Sequence, residues 1–239
     1  MLARRGRSAI DLGQGRGKMA RRRQGRKAPM PQPSKTSLFA AAKAWDAASV
    51  QAQLAQAPAL VGATDPRGRA AIHLACTVKA EGAQLAEPHG IETVTALLDA
   101  GADLEAEVPM DEDEGDFRAT PIWYAVARGE NLPLVKFLAK RGANTSWSLW
   151  AAVWRDDAAM CRVLLANKPA LNLRAHGETP LFYAARLQRL ETLALLIAAG
   201  ADASVADEQG RDAVDIARAR RLPKELIARL EQSKRSRPA

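Results

Sequence analysis

A chain of 239 residues that is 47% hydrophobic but only 5% aromatic can bury a sizeable core, and its alanine and leucine suit close-packed helices better than a sheet-rich fold. Two cysteines, Cys76 and Cys161, exclude a disulfide framework. No apolar run reaches the roughly 18–20 residues of a membrane span, and none follows the first arginines as a secretory signal would. The net charge of +8 is concentrated at one end: residues 1–37 carry eleven basic side chains against Asp11 alone, a net of +10, so the remainder sums to −2.

Residues 1–35 read as a disordered basic tail. Arg4-Arg5-Gly6-Arg7 and Arg21-Arg22-Arg23-Gln24-Gly25-Arg26-Lys27 suit contact with nucleic acid or an anionic surface, or a nuclear or organellar address. The segment 11–18, D-L-G-Q-G-R-G-K, misses a phosphate-binding loop, because Leu12 fills the first glycine slot and Met19 follows Lys18 where Ser or Thr is needed. Ser8 stands where a minor-groove hook needs proline, and Met19 is an alternative start.

From residue 36 the chain predicts helix pairs. S-L-F-A-A-A-K-A-W-D (37–46) with V-Q-A-Q-L (50–54) reads as an opening cap. R-A-A-I-H-L-A (69–75) with I-E-T-V-T-A-L-L-D-A-G-A-D (91–103) is the first full unit. T-P-I-W-Y-A-V-A-R-G (120–129) with L-P-L-V-K-F-L-A-K-R-G-A-N (132–144) is the second, and T-P-L-F-Y-A-A (179–185) with L-E-T-L-A-L-L-I-A-A-G-A-D (190–202) the next in register. In such a unit threonine caps the first helix, proline opens it, leucines and valines recur at i, i+3 and i+4 in the second, and glycine closes it in the left-handed conformation. Between the last two lies a degenerate pair, 148–172, with Trp147-Ser148 in place of T-P and Lys168-Pro169 in place of Gly-Ala. A terminal pair follows, 210–219 and 222–230.

These residues resemble the ankyrin repeat: Thr120-Pro121, Thr179-Pro180, the Ile72-His73-Leu74-Ala75 remnant and three Gly-Ala-Asp/Asn endings carry the likeness. The tetratricopeptide repeat lacks both the T-P start and the Gly-Ala-Asp end. The expected fold is an all-α, ankyrin-type helix-pair solenoid with short β-hairpin fingers, behind the disordered basic tail. It spans 36–232 in about six helix pairs, the first and last acting as caps, with 233–239 a disordered C-terminus. Against the family pattern, the turn between Cys76 and Ile91 carries about ten extra residues. The finger before Thr120 is about seven too long and holds the acidic run Asp111, Glu112, Asp113, Glu114 and Asp116. The finger between Gly142 and Trp147 is about seven too short, so no hairpin is expected there.

The resemblance implies partner contacts at fingertips and at the ends of inner helices. Carried over, those slots hold Arg67 and Arg69, then Asp116, Phe117 and Arg128, then Trp154, Arg155, His176, Glu178, Arg186 and Leu187, and lastly Arg211, flanked by Glu208 and Gln209. Arginine recurs in successive units, which predicts a guanidinium stripe suited to carboxylates or phosphates; the alternative is ordinary solvated helix ends. Trp154 falls on a solvent-facing slot and reads as a partner anchor, whereas Trp150, in the usual histidine slot, reads as packing. His73 is expected to brace neighbouring loops, and both cysteines to be buried and reduced. His73, His89 and His176 form no metal-ligand spacing, and neither cofactor nor catalytic residue is expected. The function expected is non-catalytic recognition of a protein partner with an acidic or extended segment. The alternative is a nucleic-acid-associated factor that uses its tail for phosphate contact. A monomer without a membrane span is expected, cytoplasmic unless the tail redirects it.

Overall fold

The computed structural model describes residues 32–79, 90–109 and 117–235, which all belong to one compact unit, Pro31–Ala239. Residues 1–31, the 80–89 insert with His89, the acidic run with Asp116, and 236–239 lie outside the described residues.

Among the described residues, twelve short α-helices follow in pairs: α1 Lys35–Lys43 and α2 Ala47–Gln56, α3 Ala71–Cys76 and α4 Ile91–Asp99, α5 Pro121–Ala127 and α6 Leu132–Lys140. The second half holds α7 Ser148–Arg155 and α8 Ala158–Ala166, α9 Pro180–Arg186 and α10 Leu190–Ala198, α11 Ala213–Ala219 and α12 Lys224–Arg235. The first members pack on one another in order, α1 to α3 to α5 to α7 to α9 to α11, forming an inner layer. The second members form an outer layer, α2 on α4 and then α6 through α8 and α10 to α12; packing between α4 and α6 is slight. This is the helix-pair solenoid that the repeat pattern predicts.

Composition explains the layering. Inner helices are buried almost all round: every residue of α3 and Pro121–Val126 of α5 are buried. Alanines such as Ala75, Ala125, Ala152 and Ala185 let these helices approach closely. Outer helices bury one stripe, Leu134, Val135 and Leu138 in α6 and Leu193 and Leu196 in α10. Each fully buried leucine contributes about 2 kcal/mol, so stability accumulates across unit borders rather than within units.

Local signals place the helix ends. Thr179 Oγ1 accepts from the Phe182 amide at 3.2 Å, as a T-P cap should. Thr120 departs from that expectation: its hydroxyl is buried with no hydrogen-bond partner among the described residues, so α5 starts on proline without a side-chain cap. Gly101, Gly142 and Gly200 close their helices at φ 91°, 94° and 86°, and Lys168 takes the same left-handed position at φ 52° in the degenerate pair.

Fingers join the units. Val108–Pro109 pairs antiparallel with Arg118–Ala119, Val108 facing Ala119, while Thr64 with Ala70 and Ala175 with Glu178 make single bridges. Between α6 and α7 no strand forms. The splice is buried instead, with the Thr145 hydroxyl donating to Leu164 O at 3.1 Å and Ser146 Oγ accepting from the Ala170 amide at 2.9 Å. The last helix continues to Arg235, past the expected boundary at 232. Lys234 there reaches the Asp212 carboxylate at 2.5 Å, and the Ser233 hydroxyl donates to Ala201 O at 3.4 Å.

Candidate functional site

A groove of about 600 Å³ runs across the ends of α5, α7 and α9. Its apolar lining is aromatic. Phe117 meets Trp123 edge to face at 5.8 Å and Trp147 at 4.9 Å, and Trp150 lies 5.1 Å from Tyr183. Trp154, in the same lining, is 58% exposed, whereas Trp123 and Trp150 are buried. The indole nitrogens of Trp123 and Trp150 are buried out of reach of solvent and have no hydrogen-bond partner among the described residues.

The charged lining is three arginines at the ends of successive inner helices, Arg128 and Arg155 eight residues after Thr120 and Trp147 and Arg186 seven after Thr179, with His176 and Glu178 from the finger before α9. Arg186 is held: its Nη2 donates to Glu178 Oε2 at 3.0 Å, its Nε lies 2.8 Å from Oε1, and its guanidinium sits 5.1 Å over the Tyr183 ring. Arg155 Nη2 donates to Ala127 O at 2.9 Å and pairs with Glu130 at 3.0 Å. Glu130 also accepts from Lys79, so one carboxylate links three consecutive units. The Lys79 hydrogen bond, with Arg155 beside it, holds the Glu130 carboxyl below its usual range. Arg128 is exposed, and its guanidinium has no partner among the described residues.

Of the sequence-predicted residues, the structure brings Phe117, Arg128, Trp154, Arg155, His176, Glu178 and Arg186 to this one groove. Phe117 is a buried residue at the finger base rather than an exposed fingertip. Leu187 is half-buried outside the lining. The arginine row is shorter than the sequence suggests. Arg69 and Arg211 turn back onto their own fingers: Arg69 Nη2 lies 2.7 Å from Asp65, and Arg211 Nη2 lies 2.6 Å from Asp207, with matching amide bonds from each arginine to the same aspartate. Arg67 is exposed on the first of these fingers. The reading of sequence alone missed Trp123, Tyr183 and Glu130.

Two further expectations meet their geometry here. His73 Nδ1 accepts from the Ala70 amide at 3.0 Å, so the proton is on Nε2, which faces Ala106 O at 2.9 Å in the following loop. Burial pushes its imidazole below the ordinary value. Cys76 and Cys161 are buried free thiols, and burial pushes both up, Cys161 to about 12. Among the described residues no cluster of His, Cys, Asp and Glu is placed to hold a metal ion, and no helix is long and apolar enough to cross a membrane.

A family model, ankyrin repeats in three copies, matches residues 83–207, more than half the chain. The chain belongs to the ankyrin-repeat family. Its array is similar to an ankyrin repeat domain from Acinetobacter baumannii AYE, with 24% identity, a TM-score of 0.64, and coverage of 84% of this chain and 98% of the other. It is similar to the ankyrin repeat domain of Bcl-3, with 21% identity, a TM-score of 0.55 and coverage of 82% and 97%. It also matches a chain in the complex of the predatory endopeptidase Bd0816 from Bdellovibrio bacteriovorus with immunity protein Bd3460, at 21% identity, a TM-score of 0.57 and coverage of 82% and 97%. No curated protein matches the sequence. Ankyrin repeats are a general protein-interaction fold and are generally non-catalytic.

Proposed function

We propose that this ankyrin array is a non-catalytic recognition module that holds a protein partner in the groove across α5, α7 and α9, and that it does so as a monomer. One observation carries the reading: a 58% exposed tryptophan, Trp154, lies in a single groove with Arg128, whose guanidinium has no partner among the described residues. Exposed tryptophan beside arginine is the chemistry of interface hot spots, where an aromatic anchor is ringed by polar contacts. The partner is a segment carrying carboxylates, because Arg155 and Arg186 are matched by Glu130 and Glu178 while the Arg128 guanidinium in the same lining has no partner among the described residues.

The test compares affinity capture by the full chain, by a chain lacking residues 1–35, and by the Trp154→Ala, Arg128→Ala double variant. Arg128 is preferred to Arg155 because Arg155 also ties Glu130 and Ala127 together. Under this reading the partner is retained without the tail and lost in the double variant. Capture that ignores both groove substitutions would overturn it.

A second reading has its own support in the charge distribution, a net of +10 over residues 1–37. There the tail supplies phosphate contact with nucleic acid and the repeats recruit. Its signature is nucleic-acid binding that falls steeply with salt and disappears when residues 1–35 are removed.

A further inference from the structure

We infer that the turns joining α9 to α10 and α11 to α12 form a second contact surface for the same partner, on which Arg189, Arg220, Arg221 and Lys224 hold a carboxylate-rich stretch of the protein seated in the groove. The inference rests on the groove being the binding surface, and it adds where the partner's acidic residues lie.

The terminal repeat of a solenoid needs a polar outer face, and side chains of either sign supply one. This repeat is skewed to one sign. Residues 218–235 hold seven basic side chains against Glu225 and Glu231, in a body whose charges from residue 38 onward sum to −2. Ion pairing occupies three of the seven: Arg218 lies 2.7 Å and Arg235 3.8 Å from Glu231, and Lys234 is held by Asp212. Arg229 donates to the Ala194 carbonyl at 3.1 Å. Arg220, Arg221 and Lys224 are exposed, and their charged groups have no partner among the described residues.

These cations continue the groove. Arg186, in its lining, ends α9 and is followed at once by Leu187, Gln188 and Arg189. Gln188 Nε2 donates to Arg220 O at 3.2 Å, which fastens this turn to the next. Arg220 is the C-cap of α11 as Arg128 is of α5, each eight residues after its N-cap, Asp212 and Thr120. A segment that leaves the groove past Arg186 thus runs onto Arg189 and then Arg220. Within the groove Arg155 and Arg186 are matched by Glu130 and Glu178, so the open cations lie to either side of them, at Arg128 and on these turns.

The carboxylates nearby do not cancel the patch. Asp156 accepts from Thr192 and Asp157 from the Met160 amide, so both are engaged at helix starts. Glu191 and Glu225 lie in the first turns of α10 and α12, where they face the positive ends of those helices. The same two glutamates select the class of anion. A peptide can set neutral residues opposite them, whereas a nucleic-acid backbone presents unbroken negative charge that they repel.

The experiment follows arginine modification by phenylglyoxal in the full chain, residue by residue by mass spectrometry, at physiological salt with and without decaglutamate. Reading each site separately keeps attraction to the basic tail out of the result. Decaglutamate is expected to slow modification of Arg220 and Arg221 by about fivefold and to leave Arg162, exposed on α8, unchanged. Decathymidylate, of similar charge, is expected to protect none of the three. Absence of protection, equal protection of Arg162, or protection by the oligonucleotide as strong as by the peptide would overturn the inference. Partner capture then separates it from the groove reading. The full chain carrying Arg220→Gln, Arg221→Gln and Lys224→Gln is expected to capture about tenfold less partner. A control of equal charge loss on the outer helices, Lys136→Gln, Lys140→Gln and Arg162→Gln, should capture it normally, with helical circular dichroism unchanged in both. Capture that is lost with Trp154→Ala and Arg128→Ala but kept by the turn variant leaves the groove reading intact and overturns this extension. Capture indifferent to both sets overturns both.

Discussion

Asp156, in the left-handed conformation at φ 53° after α7, accepts both the amide and the hydroxyl of Thr192 at 2.9 Å each. Thr192 lies in the first turn of α10, which has Arg189 at its N-cap and no side-chain cap of its own. A carboxylate from the preceding unit thus does the capping, and it faces the positive end of the helix dipole. Asp156→Ala should lower stability by about 1–2 kcal/mol, since it removes the cap and keeps the strained backbone. Asp156→Asn should keep most of it, because asparagine tolerates the left-handed conformation and still offers an acceptor. Urea unfolding midpoints at constant slope decide the matter, and an alanine variant as stable as the parent would refute the capping role.

Lys168 holds a backbone position that glycine fills in the neighbouring units, φ 52° against 94° at Gly142. Lys168→Gly should raise stability by up to about 1 kcal/mol, because the left-handed conformation penalises a β-carbon more than glycine's flexibility costs. Thermal unfolding of the variant should show a higher midpoint; a lower one would count against this account.

Gly129 permits a close approach between units. A β-carbon there would lie 2.5 Å from Cys76 O and 3.1 Å from Ala125 O, both backbone atoms that cannot swing aside. Gly129→Ala should destabilise by about 1–3 kcal/mol through forced displacement of the α5–α6 turn. That turn carries Glu130, so the variant should also lose the Lys79 and Arg155 pairings. Mutating Glu130 in the Gly129→Ala background should then cost less than in the parent, which a double-mutant cycle measures.

His73 gives the array an acid sensitivity of definite sign. Burial depresses its folded-state pKa, while the Asp65 and Arg69 charges nearby act in opposite directions. The unfolded chain therefore takes up the proton first, at about pH 6.5. Stability from neutral His73 is complete above that pH and drains away as pH falls toward the folded value. The carboxylates Asp65, Glu130, Asp207 and Asp212, all held below their usual range, release their contributions only in more acidic solution, below about pH 4. A His73→Asn variant should be weaker at pH 7 yet nearly flat between pH 7 and 5. A parent chain with no loss of stability over that interval would contradict the assignment.

Neither cysteine should react in the folded state. Both thiols are buried and pushed well above neutrality, so little thiolate exists and little reagent reaches it. Alkylation by iodoacetamide at pH 7.5 should follow global opening, both sites accelerating together in urea; rapid native labelling of either would show that its unit opens alone.

The order of helix pairs was legible because the signals that start and stop helices are local: proline at the first turn, glycine at the close, leucine spacing between. Lys168 and Thr120 show where local reading stops. The first does a glycine's work, and the second carries the capping residue without the cap, since neighbouring packing decides both. The groove was half legible. Slot by slot, sequence finds Arg128, Trp154, Arg155 and Arg186, but Trp123 and Tyr183 enter it only through lateral stacking of units. Glu130 matters only because residues about 25 and 50 positions away converge on it. One distinction was present and unread: Asp65-Pro66-Arg67-Gly68-Arg69 and Asp207-Glu208-Gln209-Gly210-Arg211 share an Asp-x-x-Gly-Arg pattern. That aspartate engages the arginine in both fingers, which separates Arg69 and Arg211 from the groove arginines.

The buried splice at Thr145 and Ser146 leaves the comb of hairpins with a missing tooth. A chain lying along the solenoid passes the α6–α7 junction without a hairpin beside it, next to the unit that bears Trp154. Losing a loop, rather than gaining one, is how this solenoid marks the α6–α7 junction off from the lengthened connections elsewhere in the array.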